Sequence, residues 1–196
     1  MIQLERPTNN LVSIYINKFN TDDRYYPADQ AIIKLFSAFP ENKILEDILL
    51  KLSVINDMYS TQIFATYRLA LHIQGLNIDH LLKSGDPKAV HLIASGHGIT
   101  NRKGTELNFY SFATKYCNWH NQESYAIYDS FVEKLLLAYR KQDYFSKFRN
   151  SDLKDFPKFK KIIQEFIAYY HLTDFNLKEI DKFLWIYGKE LFPAKY

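Results

Sequence analysis

The chain has a single cysteine, Cys117, among 196 residues. That excludes an internal disulfide and any cluster or zinc site built on several thiolates; pairing through Cys117 would need another chain. Glycine and proline are sparse, six of each, and no Pro/Gly/Ser-rich linker, internal repeat or low-complexity segment divides the chain. No apolar run approaches the ~18 residues of a membrane-spanning helix, and the opening MIQLERPTNN lacks the basic-then-apolar layout of a secretory signal. The expectation is a cytoplasmic protein, monomeric, with no membrane partner. The six histidines do not fall with acidic residues at metal-ligand spacing, no glycine-rich loop follows a strand, and no Ser-His-Asp set stands out. A metalloenzyme or nucleotide-binding fold is therefore disfavoured, and neither metal nor cofactor is expected.

What is present is apolar and helical in period. A hydrophobic fraction of 47% with 24% charged residues is that of a globular domain, and 16% aromatics argues against extended disorder. Ile44, Ile48, Leu52 and Ile55 mark one helix and Ile63, Tyr67, Ala70 and Leu71 the next, with Asn56 to Ser60 as a break. Gly75 should close a helix before Asn77, Asp86-Pro87 should open one, and Gly96 and Gly98 should end it. Phe156, Phe159, Ile163, Phe166 and Tyr170 form one stripe, and Leu177, Ile180, Leu184, Tyr187 and Leu191 another, with Asn176 and Glu179 as its cap. No stretch alternates with period two for long. These features predict an all-α protein, an orthogonal bundle of about eight or nine helices, as one domain over 29–196 with 1–28 an arm, short helix or loop packed on it.

The net charge of +3 is mild, but between Lys134 and Lys161 nine Lys or Arg face three Asp, a local +6. Such a stretch is either a phosphate-facing surface or a solvated helix pair, and charge alone favours the second.

Residues 105–133 carry the most chemistry. On a helix from Thr105 to about His120, Asn108, Ser111, Lys115 and Asn118 form a narrow polar stripe among Phe109, Phe112, Ala113 and Tyr116. An amine so flanked is a candidate for a desolvated, activated nucleophile, and equally a solvated lysine. Ser130-Phe-Val-Glu133 reads as a capping box, placing Asp129 at a helix N-terminus, where the ionised carboxylate is favoured; Asp129 is then an electrostatic stabiliser or simply a cap.

The run Ser-Phe-Ala-Thr-Lys115, followed by Ala-Ile-Tyr-Asp129-Ser, resembles the helix-hairpin-helix DNA glycosylase superfamily, specifically the 8-oxoguanine glycosylase-like proteins. The resemblance implies that Lys115 is the nucleophile and Asp129 the essential aspartate, and Ser111 and Ala113 stand where the hairpin glycines usually stand. Lys115 and Asp129 are 14 residues apart, fewer than in the well-studied members, and the lone cysteine excludes the iron-sulfur branch. It further implies damaged duplex DNA as partner, with Ser111 and Thr114 near the backbone. Asn56, Tyr59 and Gln62 would form a polar wedge filling the gap left by an extruded nucleotide, or else a capped turn. His120, Trp185 and Tyr187 are candidates for a base pocket, although at helical spacing residues such as Trp185 and Tyr187 are more often core, and a histidine placed like His120 is more often a hydrogen-bonded end-of-helix residue. The expected activity is excision of an oxidised base, with or without strand cleavage; the alternative is a non-catalytic helical module that binds nucleic acid or protein on the same scaffold.

Overall fold

The computed structural model describes residues 3–193. It is all-α: ten α-helices and one short 3-10 helix, the only β pairing among the described residues being an isolated bridge between Thr100 and Glu106. The chain folds as two compact units, one from Met1–Tyr26 with Ala126–Tyr196, the other from Pro27–Tyr125.

The first unit holds α1 (Asn9–Asn20), α8 (Ser130–Asp143), the 3-10 helix Asn150–Lys154, α9 (Phe156–Tyr169) and α10 (Leu177–Leu191). Helix α10 packs on both α1 and α8. A Cβ on Gly188 would stand 2.7 Å from the Phe131 carbonyl oxygen, so glycine is what lets α10 approach α8. The predicted cap of α10 is present: Asn176 and Glu179 each accept from the other's backbone N–H. The apolar stripe of α9 is buried as read, Phe145, Phe166 and Tyr170 adding an aromatic cluster against Tyr139. The expected N-terminal arm is tied down: Gln142 pairs with both backbone groups of Leu4, Tyr139 donates to the Glu5 carbonyl at 2.7 Å, and Thr8 caps α1. Residues 9–20 are helix rather than extended chain because α10 gives Leu11 and Val12 a surface to cover.

The second unit holds α2 (Tyr25–Ala38) from Pro27 onward, α3 (Leu45–Met58), α4 (Thr66–Leu76), α5 (Asp79–Ser84), α6 (Lys88–Ser95) and α7 (Tyr110–His120). Helix α7 is its centre, packed on α3, α5 and α6, and every residue from Phe112 to Trp119 is buried. Several expected boundaries move. Helix α3 runs to Met58, so the break falls at 59–65; Gly75 lies inside α4, which Asn77 ends with a left-handed residue at φ 53°. Pro87 precedes α6, and Gly96 ends it at φ 57°, where a Cβ would press into the Phe109 ring. The helix expected from Thr105 starts at Tyr110, because the bridge at Thr100 and Glu106 holds the preceding chain extended and Asn108 Oδ1 accepts from the Tyr110 N–H at 2.9 Å.

Candidate functional site

Lys115 lies in the second turn of α7 and is 1% exposed. Its Nζ donates to Ser111 Oγ at 2.8 Å, one turn earlier on the same helix, and stands 5.5 Å from the centre of the Tyr59 ring. Of the predicted polar stripe, Lys115 and Asn118 are buried and Ser111 is half-buried, while Asn108 lies before the helix and is exposed. Thr114 is fully buried and bonds the Ser111 carbonyl, so the expected contact between its side chain and DNA is corrected: its hydroxyl serves the helix itself. Asn118 is also buried; its amide donates to the Tyr125 carbonyl at 2.6 Å while its Oδ1 has no hydrogen-bond partner among the described residues. Cys117 is buried with its thiol pushed well above the usual range by desolvation, which leaves it unreactive and removes the prospect of pairing with another chain.

Tyr59 opens the loop 59–65 between α3 and α4, and its hydroxyl accepts from Trp119 Nε1 at 3.2 Å. Asn56 organises this loop: Oδ1 accepts from Thr61 Oγ1 and from the Ile63 N–H, both at 2.8 Å, while Nδ2 donates to the Ile63 carbonyl. Ser60 and Gln62 both hold positive φ, an arrangement that non-glycine residues adopt only when their surroundings impose it. At the far end stands Phe64, 96% exposed. Sequence reasoning singled out Asn56, Tyr59 and Gln62 here and missed Phe64. The three play different parts: Asn56 fastens the loop, Tyr59 covers Lys115, and Gln62 lines a shallow depression of about 320 Å³ beside Phe64.

A larger cavity, about 450 Å³, opens in the same unit, walled by Phe36, Trp119 and His120 with Asp79 and Lys83 as its charged groups. Its size is that of a small-ligand site. Behind it lies a polar network that no local pattern announced. The Lys51 ammonium, fully buried, donates to the carbonyls of Phe39 and Glu41 and to Asn42 Oδ1, at 3.0, 2.9 and 2.8 Å. Asn42 Oδ1 also accepts from the Tyr116 hydroxyl, and Asn42 Nδ2 donates to Asp79 Oδ1 at 2.6 Å and lies 3.4 Å from His120 Nε2. The Asn42 backbone N–H reaches both Asp79 oxygens at 3.1 Å. Burial brings the Lys51 amine down to about 8, still charged at neutral pH, with all three of its donors engaged. Burial first, and the Lys51 charge second, bring the His120 imidazole down to about 3, so it is neutral.

Asp129 belongs to the other unit. It is the N-cap of α8, Oδ1 accepting from the Phe131 N–H at 2.9 Å. The capping box read at Ser130 and Glu133 is not formed: the cap lies one residue earlier, and Glu133 takes the Tyr128 hydroxyl instead. Trp185 and Tyr187, expected in a base pocket, serve the packing of this unit. Trp185 meets Tyr25 edge-on at 4.9 Å with Lys189 over its ring, and Tyr187 packs on Tyr15 and Phe183. Of the three pocket candidates, His120 alone lines the cavity described above. In the basic stretch 134–161, Arg140 is consumed locally, donating to the Phe148 carbonyl and Asn150, and Lys158 is paired with Asp152 and Asp155. Lys141, Lys147 and Lys154 are exposed, as is Tyr144, 81% accessible in a left-handed conformation at the end of α8.

No helix among the described residues is long and apolar enough to cross a membrane. The described residues define a class: an all-α protein whose helix α7 carries a buried lysine, Lys115, and, at its far end, Trp119 and His120 of an aromatic-walled cavity. The chain belongs to the family whose model is described as HI_0787_N, N-terminal domain, which matches residues 11–124. A Haemophilus influenzae protein described as an uncharacterized protein is 44% identical to it over 154 residues, covering 78% of this chain and 72% of the relative. No solved structure matches.

Proposed function

We propose that the protein is a DNA glycosylase-like enzyme of the helix-hairpin-helix type, monomeric and cytoplasmic, that extrudes an oxidised base from damaged duplex DNA. The observation that carries this reading is the setting of Lys115: an amine held by Ser111 under the Tyr59 ring, with Tyr59 bonded in turn to Trp119 on the wall of the cavity. Phe64, at the tip of the loop that Tyr59 begins, suits insertion into the base stack, and the cavity suits a flipped base. Insertion of the loop draws Tyr59 aside and uncovers the amine. The neutral amine then attacks the anomeric carbon as the bond to the base breaks, the base leaving with the electron pair and taking up a proton. Opening of the sugar gives an imine, and the resemblance assigns to Asp129 the stabilising of the positive charge that develops meanwhile.

Borohydride tests this directly. Wild-type protein with an 8-oxoguanine duplex should give a covalent protein-DNA species, and Lys115→Ala none. Asp129→Asn should bind but release little base. If a panel of oxidised, alkylated and deaminated bases yields neither free base nor crosslink, the catalytic reading is withdrawn. Base release that survives Lys115→Ala assigns the attack to water.

The near-complete burial of Lys115 and the long connection 96–109 between α6 and α7, in place of a tight hairpin, favour a second reading, a non-catalytic nucleic-acid- or protein-binding module on the same scaffold. Folded protein that binds damaged duplex without reacting would establish it.

A further inference from the structure

Two of the polar groups that line the cavity, the Asp79 carboxylate and the His120 imidazole, are both held by Asn42. The orientation of its amide is unambiguous. Lysine only donates and an ionised carboxylate only accepts, so the atom facing Lys51 is the oxygen and the atom facing Asp79 is the nitrogen. It follows that His120 Nε2, 3.4 Å from that nitrogen, faces a donor and accepts. The imidazole hydrogen is then on Nδ1, the ring's remaining polar atom, and the ring lines the cavity. Asp79, on the same wall, has Oδ1 engaged twice by Asn42 and Oδ2 once. Oδ2 keeps one acceptor site, and Phe36 and Trp119, in contact with each other at 6.4 Å between ring centres, give the same cavity an aromatic wall on which a flat ring can stack.

We infer that this cavity binds a planar heterocycle through a lactam edge, its ring N–H donated to Asp79 and its adjacent carbonyl oxygen accepting from His120. Among edges with a neighbouring donor and acceptor, the lactam is the best match. Its ring N–H is acidic enough to pair strongly with a carboxylate, and its exocyclic oxygen is a stronger acceptor than a ring nitrogen. Asn42 is the positioning residue, holding Asp79 with three hydrogen bonds and fixing the tautomer of His120. This deepens the base-pocket reading given above and rests on it, but it concerns binding rather than excision.

Trp119 and Trp185 are the only tryptophans. In a Trp185→Phe background, where Trp119 is the sole indole, inosine should quench the emission saturably. Adenosine, with donor and acceptor exchanged, and N1-methylinosine, which lacks the ring N–H, should each bind at least about tenfold more weakly. Asp79→Leu should abolish the difference between the three. Because that change also strips Asn42 of its partner, Ser37→Phe, which fills the cavity from an exposed position, should abolish quenching while the circular dichroism and urea midpoint stay as in the parent. Equal binding of the three nucleosides, no saturable quenching, or quenching that survives Ser37→Phe overturns the inference. Excision without nucleoside binding would overturn it and leave the glycosylase reading standing; selective binding without excision would do the reverse.

Discussion

The Lys51 ammonium lies 2.8 Å from the Asn42 side-chain oxygen, and that contact joins α3 to the turn that follows α2. A buried cation is tolerated when each of its hydrogens has an acceptor, and here the other two are the backbone carbonyls of Phe39 and Glu41. The same Asn42 amide serves Tyr116 and Asp79 as well. Asn42→Leu should therefore cost roughly 3 kcal/mol, more than a single lost hydrogen bond, because it leaves a buried charge and a carboxylate short of partners together. Urea unfolding checks this; a loss below about 1 kcal/mol would show that the network is not acting as a unit.

Acid should destabilise the protein through His120. Its folded value is brought down to about 3 by burial and by Lys51, whereas an unfolded imidazole titrates near 6.5. Between those values the unfolded chain binds the extra proton, so the contribution of His120 is complete above about pH 6.5 and is lost as the pH falls toward 3. The urea midpoint of the wild type should decline across that window, and His120→Phe should flatten the decline. An unchanged slope would contradict the assignment.

Phe64 should matter to function and not to folding. With 96% of its surface accessible, Phe64→Ser should shift stability by no more than about 0.5 kcal/mol. If Phe64 is the wedge of the proposed function, a 2-aminopurine beside the lesion should nonetheless lose its fluorescence rise on binding. Asn56→Ala, which frees the loop from its three hydrogen bonds, should destabilise by about 1–2 kcal/mol and weaken the same signal. A full rise in the Phe64 variant would assign the wedge elsewhere.

If the stretch 134–161 meets DNA, Lys141, Lys147 and Lys154 are among the exposed cations that could do so, whereas Arg140 and Lys158 are held locally. Replacing all three by Gln should lower affinity for duplex regardless of sequence and reduce the slope of log K against log salt by about 2.7. Arg140→Gln should instead loosen the loop 144–150 and appear as a loss of stability. A salt slope unchanged by the triple substitution would make this face a solvated one.

Gly188→Ala tests the seam between α10 and α8. The new methyl would meet the Phe131 carbonyl oxygen at 2.7 Å, backbone that cannot swing away, so a loss of about 1–3 kcal/mol is expected. A neutral effect would mean that the helices separate without cost.

What could be read without a structure was whatever is decided within a turn or two of helix. The Asn176 and Glu179 cap, the α9 stripe and the left-handed glycine after α6 follow from hydrogen bonds and side-chain spacing a few residues apart, so the residues that make them also announce them. Lys115 stood out for the same reason, its partner Ser111 being four residues away. The start of α7 was misplaced because the residues before it are drawn extended by pairing with Thr100, a contact that periodicity does not register. No local pattern marks Lys51 as a buried cation, and Asn42 and Asp79 carry no motif. They meet 9 and 37 residues apart in sequence only after α2, α3 and α5 have packed. The all-helical class was thus determined by the sequence alone, through local spacing. Which polar groups are buried together, and hence what the cavity can bind, was decided by tertiary packing, because desolvation and hydrogen-bond satisfaction are properties of neighbours in space.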